Sequence, residues 1–136
     1  MKKLLLVPLL FLSFVSSPSW GEDYDNLVSR DGIHYKKFTN TPFTGKAEGR
    51  GQGYIKDGKK EGPWLIYWPN GGLMSEGWWK NGQLHGYLWS YWDNGMLSSE
   101  GQFIYGEREG HWLFYNDDGT RNEFSGMYKD GVKFSD

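Results

Sequence analysis

The 136-residue sequence predicts an all-β fold: an antiparallel meander of repeated β-hairpins in one elongated, single-layer sheet. Three observations predict it. The stretch Tyr67–Gly82, YWPNGGLMSEGWWKNG, returns 24 residues later as YWDNGMLSSEGQFIYG, and a looser copy follows as YNDDGTRNEFSGMYKDG. Asn-Gly and Asp-Gly, the pairs that most readily take the two positive-φ positions of a tight hairpin, stand at Asp57-Gly58, Asn70-Gly71, Asn81-Gly82, Asn94-Gly95, Asp118-Gly119 and Asp130-Gly131. Tyr105-Gly106 fills the slot that lacks such a pair. The glycines are spaced by 13, 11, 13, 11, 13 and 12 residues, each interval fitting one strand and its turn. Aromatic residues make up 18% of the chain, a share that suits thin β-structure, and glycine interrupts nearly every window long enough to show a helical period.

The elements follow in order. Met1-Lys2-Lys3 is a short basic start, Leu4 to Val15 is apolar apart from Pro8 and Ser13, and Ser19-Trp20-Gly21 is a small-x-small boundary before Glu22. This layout predicts a cleaved secretory signal peptide over 1-21. This run of twelve residues falls short of the roughly 20 needed to span a bilayer, so no stable membrane insertion is expected after cleavage. Residues 22-52 form a lead-in segment. In it Gly49-Arg50-Gly51-Gln52-Gly53 reads as a flexible loop, because no helix follows that would turn it into a phosphate cradle.

Residues 53-136 form the repeat domain. The first hairpin arms are Gly62-Pro63-Trp64-Leu65-Ile66-Tyr67, Gly86-Tyr87-Leu88-Trp89-Ser90-Tyr91 and Gly110-His111-Trp112-Leu113-Phe114-Tyr115. Strand alternation puts Leu65, Tyr67, Trp89, Tyr91, Leu113 and Tyr115 on one face and Trp64, Ile66, Leu88, Trp112 and Phe114 on the other. On the second arms Leu73, Gly77 and Trp79, and likewise Leu97, Gly101 and Phe103, fall on a common face. A glycine there leaves a gap that a ring from the next strand can cover.

Composition narrows the function. Past the signal, 13 basic residues stand against 17 acidic ones, a net charge of about −4, with the basic residues scattered among acids. Nucleic acid and anionic membrane surfaces are poor partners for such a chain. No cysteine occurs, so stability comes from packing and not from disulfides. His34, His85 and His111 are the only imidazoles, and none has metal-ligand spacing; His85 reads as a turn-side histidine. Ser98-Ser99-Glu100-Gly101 lacks a nucleophile elbow. Glu76 and Glu100, two strands and so roughly 9 to 10 Å apart, are at the far limit for an inverting glycosidase pair and read as repeat-dictated acids. No catalysis, metal or cofactor is expected.

The pattern Gly-x-Trp-x-x-Tyr, Asn-Gly-x-Leu, Glu-Gly-x-aromatic and Lys-Asn/Asp-Gly resembles the bacterial variant of the MORN repeat. The opening Tyr24-Asp25-Asn26-Leu27-Val28, with Arg30-Asp31-Gly32 and Pro42-Phe43-Thr44-Gly45, is similar to the front of YwqK-type antitoxins. The resemblance covers about Tyr24 to Lys133. It departs at Leu88, which holds a tryptophan slot, and at one extra residue before Gly126, where a less regular edge is expected. It implies a MORN-like meander and, given the signal, a periplasmic or secreted protein closer to an immunity protein than to a cytoplasmic antitoxin.

A single small sheet without helices cannot cover both its faces, and an uncovered aromatic face is a candidate binding surface. The expected binding residues are therefore Leu65, Tyr67, Trp89, Tyr91, Leu113 and Tyr115. The expected partner is another protein or a second copy, met by that face or by a free edge strand. The alternative is wall-glycan or choline recognition, since Ser75-Glu76-Gly77-Trp78-Trp79-Lys80-Asn81-Gly82 is superficially similar to choline-binding hairpins. The 24-residue period and the lack of a Trp-Tyr-Tyr run speak against it.

Overall fold

The computed structural model describes residues Gly21 to Asp136; the expected signal segment up to Trp20 lies outside the described residues. Twelve strands follow in chain order: β1 (Glu22–Asp23), β2 (Leu27–Arg30), β3 (Ile33–Lys36), β4 (Gly45–Glu48), β5 (Gly51–Lys56), β6 (Lys59–Tyr67), β7 (Leu73–Lys80), β8 (Gln83–Tyr91), β9 (Leu97–Ile104), β10 (Glu107–Phe114), β11 (Gly126–Lys129) and β12 (Val132–Ser135). Ten of them make one open sheet in the order β1, then β4 through β12. Only β1 is out of sequence, running parallel to β4. The strands β2 and β3 form a separate hairpin, tied to the main sheet where His34 N–H donates to Gly58 O at 2.8 Å.

The lead-in thus contributes β1, β4 and the start of β5 to the main sheet, while β2 and β3 stand beside it. The segment Gly49–Gly53, expected as a flexible loop, instead runs into β5. Its glycines admit rings: a Cβ on Gly51 would stand 2.5 Å from the Tyr24 ring, and one on Gly53 2.5 Å from the Trp64 ring. Aromatic packing makes this glycine cluster strand, with Arg50 held by Asp25 at 2.9 Å.

Two kinds of turn alternate, which explains the 13/11 spacing. Asp57-Gly58, Asn81-Gly82, Tyr105-Gly106 and Asp130-Gly131 have positive φ at both residues, the geometry of tight two-residue hairpins. The expectation fails at Asn70-Gly71, Asn94-Gly95 and Asp118-Gly119, where only the glycine has positive φ. There the loop is longer: Gly71 N–H donates to Trp68 O and Trp68 N–H to Gly72 O, a three-residue loop closed by a glycine in the left-handed region. Asn70 Oδ1 accepts from Gly72 N–H at 2.9 Å while its Nδ2 donates to Asp93 O at 2.9 Å, and Asn94 repeats both bonds with Met96 and Asp117. The Asn70 turn is therefore fastened to the Asn94 turn, and the Asn94 turn to the Asp118 turn.

Gly95 has φ +85° with open space around its Cα. Gly95→Val is expected to cost about 1 to 3 kcal/mol from backbone strain alone. A denaturant-unfolding midpoint unmoved by the change would rule out that strain.

Glycine has a second use at Gly62, Gly86 and Gly110, all with positive φ. Each lies in a bulge where three residues of β6, β8 or β10 oppose one residue of the preceding strand. The residue before each of these glycines turns back to cap the following hairpin: Glu61 accepts from Asn81 N–H at 2.7 Å, and Glu109 from Asp130 N–H at 3.1 Å. His85 occupies the same position, its Nδ1 accepting from Tyr105 N–H at 3.1 Å. It is a half-buried structural histidine in a glutamate's place.

A single register line crosses the sheet through Trp64, Gly77, Leu88, Gly101, Trp112 and Gly126. Each large side chain leans over the glycine of the preceding strand, so that Trp64 covers Gly53, Leu88 covers Gly77 and Trp112 covers Gly101. This is the ring-over-glycine packing expected from the second arms. The indoles are fixed at both ends, Trp64 Nε1–H donating to Tyr54 O at 3.2 Å and Trp112 Nε1–H to Gln102 O at 3.0 Å. Ala47, Ile55 and Trp64 form the buried core, with Tyr24, Leu27, Phe43, Ile66 and Trp79 packed on it.

The irregular edge appears where the extra residue predicts it. The β10–β11 ladder covers only Gly110 to Trp112, and beyond it Ser125 Oγ accepts from Phe114 N–H and donates to Phe114 O, at 2.9 and 3.0 Å.

Candidate interaction face

The two faces of the sheet have different chemistry. On the packed face, Lys60 is only 9% exposed. Its ammonium lies 5.1, 4.6 and 4.7 Å from the ring centres of Tyr24, Trp64 and Trp79. Burial pushes its pKa down to about 8. Two repeats on, Arg108 sits 5.3, 5.1 and 5.7 Å from the rings of Trp112, Phe114 and Tyr128. Both are cation cages filled from within the chain. The middle repeat has Leu84 and Leu88 at the corresponding positions, so cation and tryptophan are replaced together. Between the cages run Ser75, Ser90 and Ser99 in register.

The opposite face carries the six residues expected from the sequence. Leu65, Glu76, Trp89, Glu100 and Leu113 follow one another across β6 to β10 in direct register. Tyr67 pairs with Leu73 and Tyr91 with Leu97. All six expected residues are half-buried. The pairing corrects one assignment: an extra residue at Met74, and again at Ser98, brings Leu73 and Leu97 into register with the tyrosines, away from the face of Gly77 and Gly101.

Sequence reasoning missed a more exposed row beside the first. Tyr54, Trp78 and Tyr87 are 48, 53 and 55% exposed. Trp78 is in register with Pro63, and Tyr87 with Gln102. The signal was available both in the 24-residue identity of position between Tyr54 and Trp78 and in alternation, since Trp78 stands two residues from Glu76 and Tyr87 two from Trp89 with no register shift between them. Tyr87 stacks on Trp89 with ring centres 5.7 Å apart and planes at 20°, linking the two rows.

Tyr87, Trp89, Glu100, Gly101, His111 and Leu113 line a shallow depression of about 270 Å³. A wider hollow of about 660 Å³ at the turn edge is lined by Lys56, Asp57, Lys59, Glu61, Lys80 and Asn81 and holds no ring. Glu76 accepts from Tyr91 O–H at 3.1 Å. Burial and this carboxylate push the Tyr91 phenol pKa up. On the N-terminal hairpin, burial holds the His34 imidazole below its ordinary value, and His34 Nδ1 lies 3.0 Å from Gly58 O.

Among the described residues no group of three or more His, Asp or Glu side chains is gathered as a metal site would require. What the open face can do chemically is stack, exclude water and attract positive charge. No family model matches the chain, and no curated protein matches it.

Proposed function

We propose that the protein is an exported, non-catalytic interaction module that meets a protein partner, or a second copy of itself, through the open aromatic face, in an immunity-like role. One observation carries this reading. The packed face sets its two cations, Lys60 and Arg108, over its own rings, whereas the other face leaves Tyr54, Trp78 and Tyr87 about half exposed beside Trp89, Tyr91 and Leu113. Interface hot spots are enriched in Trp and Tyr, and contiguous exposed apolar surface marks interaction sites. A second reading, wall glycan or choline, draws on the stacked Tyr87–Trp89 pair.

The test uses capture from the exported fraction together with oligomeric state. Trp89→Ala and Tyr91→Ala are expected to weaken partner capture or a homodimer by roughly thirtyfold, about 2 kcal/mol, while the far-ultraviolet spectrum and thermal transition persist. Loss of fold, at about 3 to 5 kcal/mol for a buried tryptophan, would instead make these residues core and sink the assignment. Trp78→Ala and Tyr87→Ala, at positions about half exposed, give the same readout with a smaller packing cost, Tyr87 losing its stack on Trp89.

A further inference from the structure

The centre of the open face is a carboxylate, an indole and a carboxylate in one line. Glu76 and Glu100 are each in direct register with Trp89, on β7 and β9 to either side of it. Adjacent strands lie about 4.8 Å apart, so both carboxylates flank the indole within a side chain's reach. All three residues are half-buried. Glu76 is steadied by the Tyr91 hydroxyl. Among the described residues Glu100 makes no hydrogen bond or ion pair through its carboxylate, the four ion pairs lying elsewhere.

Positive charge to match these groups is missing nearby. Across β7, β8 and β9 the only Lys or Arg is Lys80, at the end of β7, and its ammonium is spent over the Tyr105 ring at 5.6 Å. From residue 61 to the end the chain has 5 Lys and Arg against 11 Asp and Glu. The packed face shows what this fold does with a ring cluster that has a cation, in the Lys60 and Arg108 cages. The open-face cluster has the rings and the counter-charge but no Lys or Arg of its own, His111 being the one basic side chain that lines the same depression.

We propose that this line receives an arginine side chain from a basic, extended segment of the protein partner, its guanidinium flat on Trp89 and held from both sides by Glu76 and Glu100. Arginine fits better than lysine, because its planar, weakly hydrated head stacks on indole while its edge donates to two carboxylates. The inference rests on the reading that the open face is the contact surface.

The test is titration of the full chain with an acetylated hexapeptide alternating threonine and arginine. The readouts are tryptophan fluorescence and the Trp89 indole N–H resonance, assigned with Trp89→Phe. Saturable binding that shifts this resonance and weakens as salt is raised is expected. The double variant Glu76→Gln/Glu100→Gln keeps side-chain shape and the acceptor for Tyr91, and is expected to bind about tenfold more weakly. Absence of saturable binding, equal binding of a citrulline-for-arginine peptide, or equal binding by the double variant would overturn the proposal. So would saturation by choline chloride with no response to the peptide, which would reassign the line to a small quaternary ammonium. If the peptide fails while partner capture still requires Trp89, the arginine assignment alone falls; capture indifferent to Trp89→Ala removes the open-face reading beneath it.

Discussion

Gly101→Ala is expected to destabilise the protein by about 3 kcal/mol or more, a large effect for one methyl group. The added Cβ would fall against Cδ2, Cε2 and Cγ in the five-membered part of the Trp112 indole, far inside van der Waals contact. The ring has nowhere to retreat: Trp112 is 1% exposed, its Nε1–H is bonded to Gln102 O, and Phe103, Phe114 and Arg108 close on it. Backbone strain is not the cause, since Gly101 does not have a positive φ. Overpacking is. Urea-unfolding midpoints measure it, and a cycle with Trp112→Leu separates the mechanism, because two changes at one contact should fail to add. A loss under about 1 kcal/mol would mean that the indole is not fixed as described.

Lys60→Met is expected to stabilise the protein by about 1 to 3 kcal/mol near neutral pH. Depressing a lysine from its ordinary value to about 8 corresponds to a cost on the order of 3 kcal/mol, part of which the three rings return as cation attraction. Replacing a buried charge by an apolar side chain of similar volume is commonly neutral or favourable. The sign of the pH dependence follows from linkage. Between pH 8 and about 10.4 the unfolded chain binds a proton at Lys60 that the folded chain has released. The native protein therefore gains stability as pH rises through this window, and the cost of Lys60 is fully present below it. The advantage of Lys60→Met should accordingly shrink from pH 8 upward. Above about pH 10 the half-buried phenols of Tyr24 and Tyr91, whose pKa values are pushed up, oppose folding as the unfolded tyrosines ionise. Parallel unfolding curves for both proteins across pH 7 to 10 make the test. A variant less stable at every pH would show that the rings outweigh burial.

The repeat made most of this fold legible. Glycines fall at a fixed interval because each hairpin needs one, and the alternation of rings along Gly62–Tyr67 carries through to which residues share a face. The turn type at Asn70 and Asn94 was not legible, because these side chains bond across to the next loop, a contact 23 residues away that local propensity does not contain; Asp118 instead bonds locally to Thr120. The packed and open faces were distinguishable only in the structure. Both read as apolar, and the difference lies in where Lys60 and Arg108 put their charges. Alternation from Glu76 and Trp89 reaches Trp78 and Tyr87 as well; what the structure adds is that these two rings are about half exposed.

The turn-to-turn bonds have a consequence for how such a molecule can vary. Among the described residues, side-chain hydrogen bonds reach at most 25 positions along the chain, and Trp68 to Tyr91 and Trp92 to Tyr115 repeat the same link. Every unit therefore knows only its neighbour. A 24-residue module copied in frame would find the same sockets on both sides, so gene duplication can lengthen the molecule and its row of rings without redesigning a core.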